Sequence, residues 1–219
     1  VGTAITVTAS YTDDQGTDES VTSAATSTVA NVDDAPTGAV TITGSAAEDE
    51  VLTADTSTLA DADGLGALSY QWSRDGSPID GATSGTYTLT QTDVGSAITV
   101  NVSYTDGFNN DESVTSDPTS TVANVDDDPT GTVSISGDPT QGQVLTASNT
   151  IADQDGMTSA TVAYQWKRDG NTIAGATNST YTLTQDDVDS AITVTASYTD
   201  DQGTDESVTS DPTATVANV

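Results

Sequence analysis

The sequence contains no cysteine and no histidine. That excludes disulfides, zinc or copper sites built on sulfur and imidazole, and any nucleophile activated by a histidine base. Positive charge is nearly as scarce. Three Lys and Arg stand against 34 Asp and Glu, for a formal net charge of −31. Such a chain cannot neutralise phosphates, which excludes nucleic acid as a partner and disfavours an anionic membrane surface. No apolar run has the length of a signal peptide core or a membrane span, so no membrane insertion is expected in this segment. Aromatic residues make up 5% of the chain and hydrophobic residues 33%. Any core is therefore thin, made largely of Val, Ile and Ala beside Thr, and modest in stability per domain.

What the chain does contain is a repeat. Ser69 to Gly107 opens SYQWSRDG and closes ITVNVSYTDG, and it returns from Ala163 as AYQWKRDG to ITVTASYTDD. The last third of the same text opens the chain as VGTAITVTASYTDD. Val1, Val94 and Val188 hold one place in three copies, a period of about 93 residues. The boundaries that follow are 1–32 for the last two strands of a repeat, 33–125 for one complete repeat and 126–219 for another. Because the chain starts in mid-repeat, it is expected to be part of something longer.

Within each repeat, apolar and polar residues alternate in short runs broken by Asp-Gly and Gly-rich turns, the pattern of antiparallel strands with one buried and one wet face. Leu52 and Ala54, then Leu68, Tyr70 and Trp72, then Tyr87 and Leu89, then Ile98, Val100, Val102 and Tyr104 fall on inward faces. Trp72 and Trp166 sit on a central strand among alternating polar residues and read as core rather than as sugar-stacking platforms. Asp75-Gly76 is a hairpin turn signal. Pro118 marks an edge or a bulge, because it has no N–H to give a ladder. Two linkers, DDAPTG (33–38) and DDDPTG (126–131), place acids before a proline and read as stiff. The hairpin of residues 1–32 has a bare apolar face, to be covered by preceding strands or by another molecule.

A single Trp on the third strand, followed by an Asp-x-Gly turn at Asp93-Val94-Gly95 before a long strand, resembles an immunoglobulin-like sandwich. Ala54 and Val100 stand where antibody domains carry their cysteines, and Ile98 stands where the tyrosine corner is usual. More narrowly, the run YQW-x-RDG-x-x-I-x-GAT-x-x-TYTLT and the linker NVDDAPTG resemble the immunoglobulin-like repeats of giant bacterial surface adhesins exported by type I secretion. The resemblance implies a tandem, elongated array of antiparallel β-sandwiches on the cell surface, stiffened by Ca²⁺ at the linkers. It implies a stalk whose partners are neighbouring repeats of the same chain, and it leaves open contact with other copies.

In such a sandwich, two loops share one end with the incoming linker, and acids gather there. At the first junction Asp33 and Asp34 are expected to meet Asp61 and Asp63, and then Asp106, Asp111 and Glu112. At the second, Asp126, Asp127 and Asp128 are expected to meet Asp153 and Asp155, and then Asp200, Asp201 and Asp205. Crowded carboxylates repel unless a divalent cation sits among them, and calcium is the hard cation that prefers such oxygens. The competing reading is that these are turn and capping aspartates on a solvated surface. Arg74, Lys167 and Arg168 read as local partners for nearby acids. A catalyst would have to work with carboxylates alone, and no pair stands out, so no enzymatic activity is expected. Two other functions remain open: a self-assembling filament or sheath subunit, and a module binding carbohydrate, protein or ice.

Overall fold

A computed structural model describes every residue, Val1–Val219. The chain is all-β, apart from two single turns of 3-10 helix. It opens with β1 (Thr8–Thr12) and β2 (Asp18–Thr22). The first complete repeat then supplies β3 (Thr41–Thr43), β4 (Val51–Asp55), β5 (Ser69–Arg74), β6 (Ser77–Pro78), β7 (Thr86–Thr88), β8 (Ile98–Thr105) and β9 (Asp111–Thr115). The second supplies β10 (Val133–Ser136), β11 (Val144–Asn149), β12 (Ala163–Arg168), β13 (Asn171–Thr172), β14 (Thr180–Thr182), β15 (Ile192–Thr199) and β16 (Asp205–Thr209).

Each complete repeat forms two antiparallel sheets, in the orders β3-β4-β7 and β6-β5-β8-β9, then β10-β11-β14 and β13-β12-β15-β16. Alternation along the long strands sets which face is inside. Ile98, Val100 and Val102 of β8 are fully buried and Tyr104 nearly so, while the Thr and Ser between them are not. Trp72 pairs across the ladder with Val100, and its ring lies 5.9 Å from Tyr87 of the other sheet. Its indole N–H donates to the Ser84 carbonyl at 2.8 Å, so burial leaves no polar atom stranded. In the second repeat Trp166 is buried among Val133, Leu145, Leu183 and Val194 and donates to the Asn178 carbonyl. The turn between β5 and β6 places Asp75 at φ 46° and Gly76 at φ 78°, the left-handed pair that a two-residue hairpin requires.

The last stretch of each copy is irregular in a repeated way. The N–H groups of Ser116, Thr119 and Val122 donate to the carbonyls of Val100, Ile98 and Ser96. One side of this pairing advances three residues for every two on the other. The Ser116 and Thr119 hydroxyls accept the N–H groups of Val100 and Ile98 in return, at 3.1 and 3.0 Å. Ser210 and Thr213 repeat this in the second repeat, and Ser23 and Thr26 in the opening hairpin. Pro118 falls between two of these donor positions, so its missing N–H costs the pairing nothing.

The chain forms two compact units. The first comprises Val1–Ala46, Glu50–Leu89 and Gly95–Val122; the second comprises Ala47–Asp49, Thr90–Val94 and Ala123–Val219. Two short segments that belong in sequence to the first repeat thus fall in the second unit. In the first unit β1 and β2 are exposed throughout, and Ile5 and Val7 just before β1, Tyr11 on β1 and Val21 on β2 are each more than half accessible. Their counterparts Ile98, Val100 and Tyr104 are buried.

Candidate metal centres

Each linker ends on a glycine that seats it against its own repeat. Gly38 has φ 84°, and a Cβ there would lie 1.9 Å from the Thr58 carbonyl oxygen; Gly131, at φ 89°, would place one 2.3 Å from Thr150 O. Thr37 and Thr130 then form single bridges with Ala60 and Ala152, just before the loops ADADG and ADQDG. This seating brings the linker acids to the loop acids. In the first unit, carboxylate oxygens of Asp33, Asp63 and Asp106 lie within 4.8 Å of one another. In the second, Asp126, Asp155 and Asp200 do the same. These two trios occupy equivalent places in the repeat.

The loops are held by a chain of hydrogen bonds. Asp63 Oδ2 accepts the Asp34 N–H at 2.8 Å, and the Asp63 N–H donates to Asp61 Oδ1 at 2.8 Å. Asp61 Oδ2 in turn accepts the Tyr104 hydroxyl at 2.6 Å. In the second unit the same roles fall to Asp127, Asp155, Asp153 and Tyr198. Burial and the adjoining carboxylate raise the pKa of each tyrosine above the ordinary value, so both remain donors. Asp61 and Asp153 therefore position the loops, and neither belongs to a trio.

Asp106 and Asp200 are fixed by the turns that follow them. Asp106 Oδ1 accepts the N–H groups of Phe108 and Asn110, and Oδ2 accepts the Asn110 side-chain amide at 2.9 Å. Burial works against the charge, but these bonds outweigh it and hold the Asp106 pKa below the ordinary value. Asp200 Oδ1 accepts three backbone N–H groups, from Gln202, Gly203 and Thr204. Thr204 replaces Asn110, however, and Asp200 Oδ2 is buried with no hydrogen-bond partner. Asp127 Oδ2 is buried and unpartnered in the same way.

Crowding shows in the protonation equilibria. Burial and then Asp106, Asp63 and Asp61 push Asp33 upward. Burial and then Asp155 and Asp49 do so for Asp127. Glu112 and Glu206 are raised by burial and then by Asp33 and Asp126, respectively. An orphaned buried carboxylate oxygen beside further carboxylates, with only oxygen donors around it, suits a hard divalent cation.

The remaining predicted positions lie elsewhere. Asp111 and Asp205 accept the Thr105 and Thr199 hydroxyls across their hairpins. Asp201 caps the N–H groups of Thr158 and Ser159. Asp34 serves through its backbone, and Asp128 acts on the site only through its charge, which helps raise Glu206. Asp187 is fully buried in an ion pair with Arg168 at 2.7 Å and also accepts Tyr181 and Thr184. A third group was not anticipated: Glu48, Asp127 and Asp155 also bring oxygens within 4.8 Å. The only sequence signal for it is that AEDE, residues 47–50, stands where the second repeat has TQGQ, residues 140–143.

No family model matches this chain, and no curated protein does. Among solved structures it is similar to the three N-terminal domains of the bacteriophage RB49 Highly Immunogenic Outer Capsid protein (Hoc). That likeness has 19% identity over 78% of this chain and 57% of that one, with a TM-score of 0.29. It is also similar to a structure described as a Ca²⁺-stabilized adhesin that helps an Antarctic bacterium reach out and bind ice, at 18% identity over 99% of this chain and 57% of that one, with a TM-score of 0.37. The chain thus spans 57% of the length of each of these two structures.

Proposed function

We propose that this chain is a structural, non-catalytic segment of an extracellular bacterial surface adhesin, a stalk of immunoglobulin-like repeats whose linkers are stiffened by Ca²⁺. The observation that carries the reading is the acid trio built twice at the same place, Asp33-Asp63-Asp106 and Asp126-Asp155-Asp200, with a buried oxygen of Asp200 lacking any donor. Bound calcium would supply positive charge to oxygens that otherwise repel. The residues do the rest. Asp33 and Asp126 belong to linkers, Asp63 and Asp155 to one loop of the following repeat, and Asp106 and Asp200 to another. Closing each trio fastens a linker to two loops of the repeat it enters, and opening it lets mutual repulsion free the linker. The joint would thus be rigid where calcium is abundant and loose where it is scarce.

Small-angle X-ray scattering in millimolar Ca²⁺ and then in excess chelator tests this. A maximum dimension that is sharply defined with calcium and broadens without it supports the reading. Superimposable profiles refute it. A second reading, assembly through the bare face of β1 and β2, is favoured by the exposure of Ile5, Val7 and Tyr11. It requires a mass in solution that grows with protein concentration.

A further inference from the structure

Asp-Gly occurs six times in the chain, at Asp63, Asp75, Asp80, Asp106, Asp155 and Asp169. Five of these carboxylates hold backbone N–H groups. Asp63 accepts that of Asp34, Asp75 that of Ala97, Asp106 those of Phe108 and Asn110, Asp155 that of Asp127, and Asp169 that of Ala191. Asp80 differs. It is exposed, and its carboxylate has no partner.

The turn around Asp80 does not need that carboxylate. In the second repeat Ala174-Gly175 takes its place, and the two turns share one backbone. Gly81 has φ 73° and Gly175 φ 75°. The Ala82 N–H donates to the Ile79 carbonyl at 3.2 Å, as the Ala176 N–H does to Ile173. The N–H groups of Thr83 and Thr177 donate to the glycine carbonyls at 3.0 and 3.1 Å. Each turn then docks on its tryptophan, whose backbone N–H donates to Ala82 or Ala176 at 3.0 Å. Asp80 is thus a free acid before a glycine, in a turn that also forms without it.

That pairing has its own chemistry. The Gly81 nitrogen donates to no acceptor, and nothing lies within 4 Å of the place where a Cβ of this residue would stand. Glycine leaves both the approach to its nitrogen and the backbone rotation open. The five bonded aspartates would have to give up hydrogen bonds to reach the nitrogen that follows them. We propose that Asp80-Gly81 is a site of spontaneous isomerisation to isoaspartate, a covalent modification confined to the first repeat. The Gly81 nitrogen attacks Cγ of the protonated Asp80 carboxyl. The N–Cγ bond forms, and the proton on nitrogen leaves with the acid hydroxyl as water. The succinimide so formed then takes up water. Opening at Cγ restores aspartate, whereas breaking the original peptide C–N bond leaves the chain running through Cβ and Cγ. One water leaves and one returns, so no oxidant or cofactor is required. The extra backbone carbon falls between Ile79 and Ala82. Both are tied to Trp72, since the Ile79 N–H donates to the Trp72 carbonyl at 2.9 Å and Ala82 accepts the Trp72 N–H. The modification therefore lengthens the turn that covers the buried indole.

The test keeps the full, folded chain at neutral pH for weeks, alongside Asp80→Ala and Ala174→Asp. Labelling by an isoaspartyl methyltransferase counts the modified residues, and electron-transfer dissociation of chymotryptic peptides places them. Circular dichroism checks that each variant folds. Isoaspartate at position 80, and at none of the other five Asp-Gly pairs, is the expected result. Asp80→Ala should lose it, and Ala174→Asp should gain a second linkage at position 174. No isoaspartate at position 80 would overturn the proposal, as would equal amounts at Asp75 or Asp169. A folded Ala174→Asp that stays unmodified at position 174 would also overturn it, because the two turns would then differ in more than the carboxylate. Asp80 lies outside both acid trios, so the result does not depend on the calcium reading.

Discussion

Thr204→Asn should convert the second trio into the first. In the first unit the Asn110 side chain donates to Asp106 Oδ2 at 2.9 Å, whereas Thr204 leaves Asp200 Oδ2 buried and unpartnered. Asp200 is 6% exposed, so water does not fill the gap freely. A stranded buried acceptor costs about 1–3 kcal/mol, and a bond to a charged group returns a similar amount. Supplying the donor should therefore stabilise the calcium-free protein by about 1–2 kcal/mol, a rise of several degrees in melting temperature for a unit of this size. Calcium must then compete with that donor, so affinity at this site should fall about tenfold for each 1.4 kcal/mol gained. Thermal unfolding in chelator gives the first quantity. Terbium luminescence, excited through Tyr198 beside the site and displaced by calcium, gives the second. A melting temperature that falls, or an affinity that does not change, would refute the claim that the free Asp200 oxygen is held for a cation.

Gly131→Ala should destabilise the second repeat by at least about 2 kcal/mol, because φ is 89° and the added carbon meets the Thr150 carbonyl; chemical denaturation measures it. Thr213→Val removes the acceptor of the Ile192 N–H and should cost about 1–3 kcal/mol. Urea midpoints should show that loss, while Thr213→Ser should retain most of the stability. Asp187 is the residue for pH dependence. Burial opposes its charge, but the bonds from Thr184, Arg168 and Tyr181 prevail and hold its pKa below 3.8. Its contribution is therefore complete above pH 3.8 and is lost as pH falls through the lower folded value. Asp187→Asn should lose about 2 kcal/mol at neutral pH. It should also flatten the acid limb of a stability-against-pH curve, and a limb of unchanged steepness would contradict this account.

The β-sandwich could be read from the sequence because alternation and turn chemistry agree. Ile98 to Tyr104 alternate in text and in burial, and Asp75-Gly76 is the turn that its dihedrals require. The gathering of linker acids with the loop acids could be anticipated from topology, since the loops that enter β5 and leave β8 must share an end. Which acids turn inward could not. Asp61 and Asp63 are neighbours of the same type in one loop, yet a tyrosine hydroxyl claims one and leaves the other to the trio. Glu48 was hidden for a different reason. It sits in a loop with no turn motif, far in sequence from Asp127 and Asp155. Only the pairing of the Ala47–Asp49 segment with Ala123 brings it to them. The hydroxyl pairing of Ser116 and Thr119 was equally silent, because Ser and Thr are frequent throughout the chain.

That hydroxyl pairing bears on how near-identical repeats keep apart. Adjacent domains of closely similar sequence risk exchanging strands while they fold, and an exposed edge with evenly spaced amides is the template for such errors. Here the outer stretch of each copy advances three residues for two of its partner and satisfies that partner through side-chain hydroxyls, and in the two complete repeats it also carries Pro118 or Pro212 between donor positions. A strand from a neighbouring copy finds no regular ladder to extend. The same Ser and Thr residues that close each sandwich thus discourage strand exchange between copies.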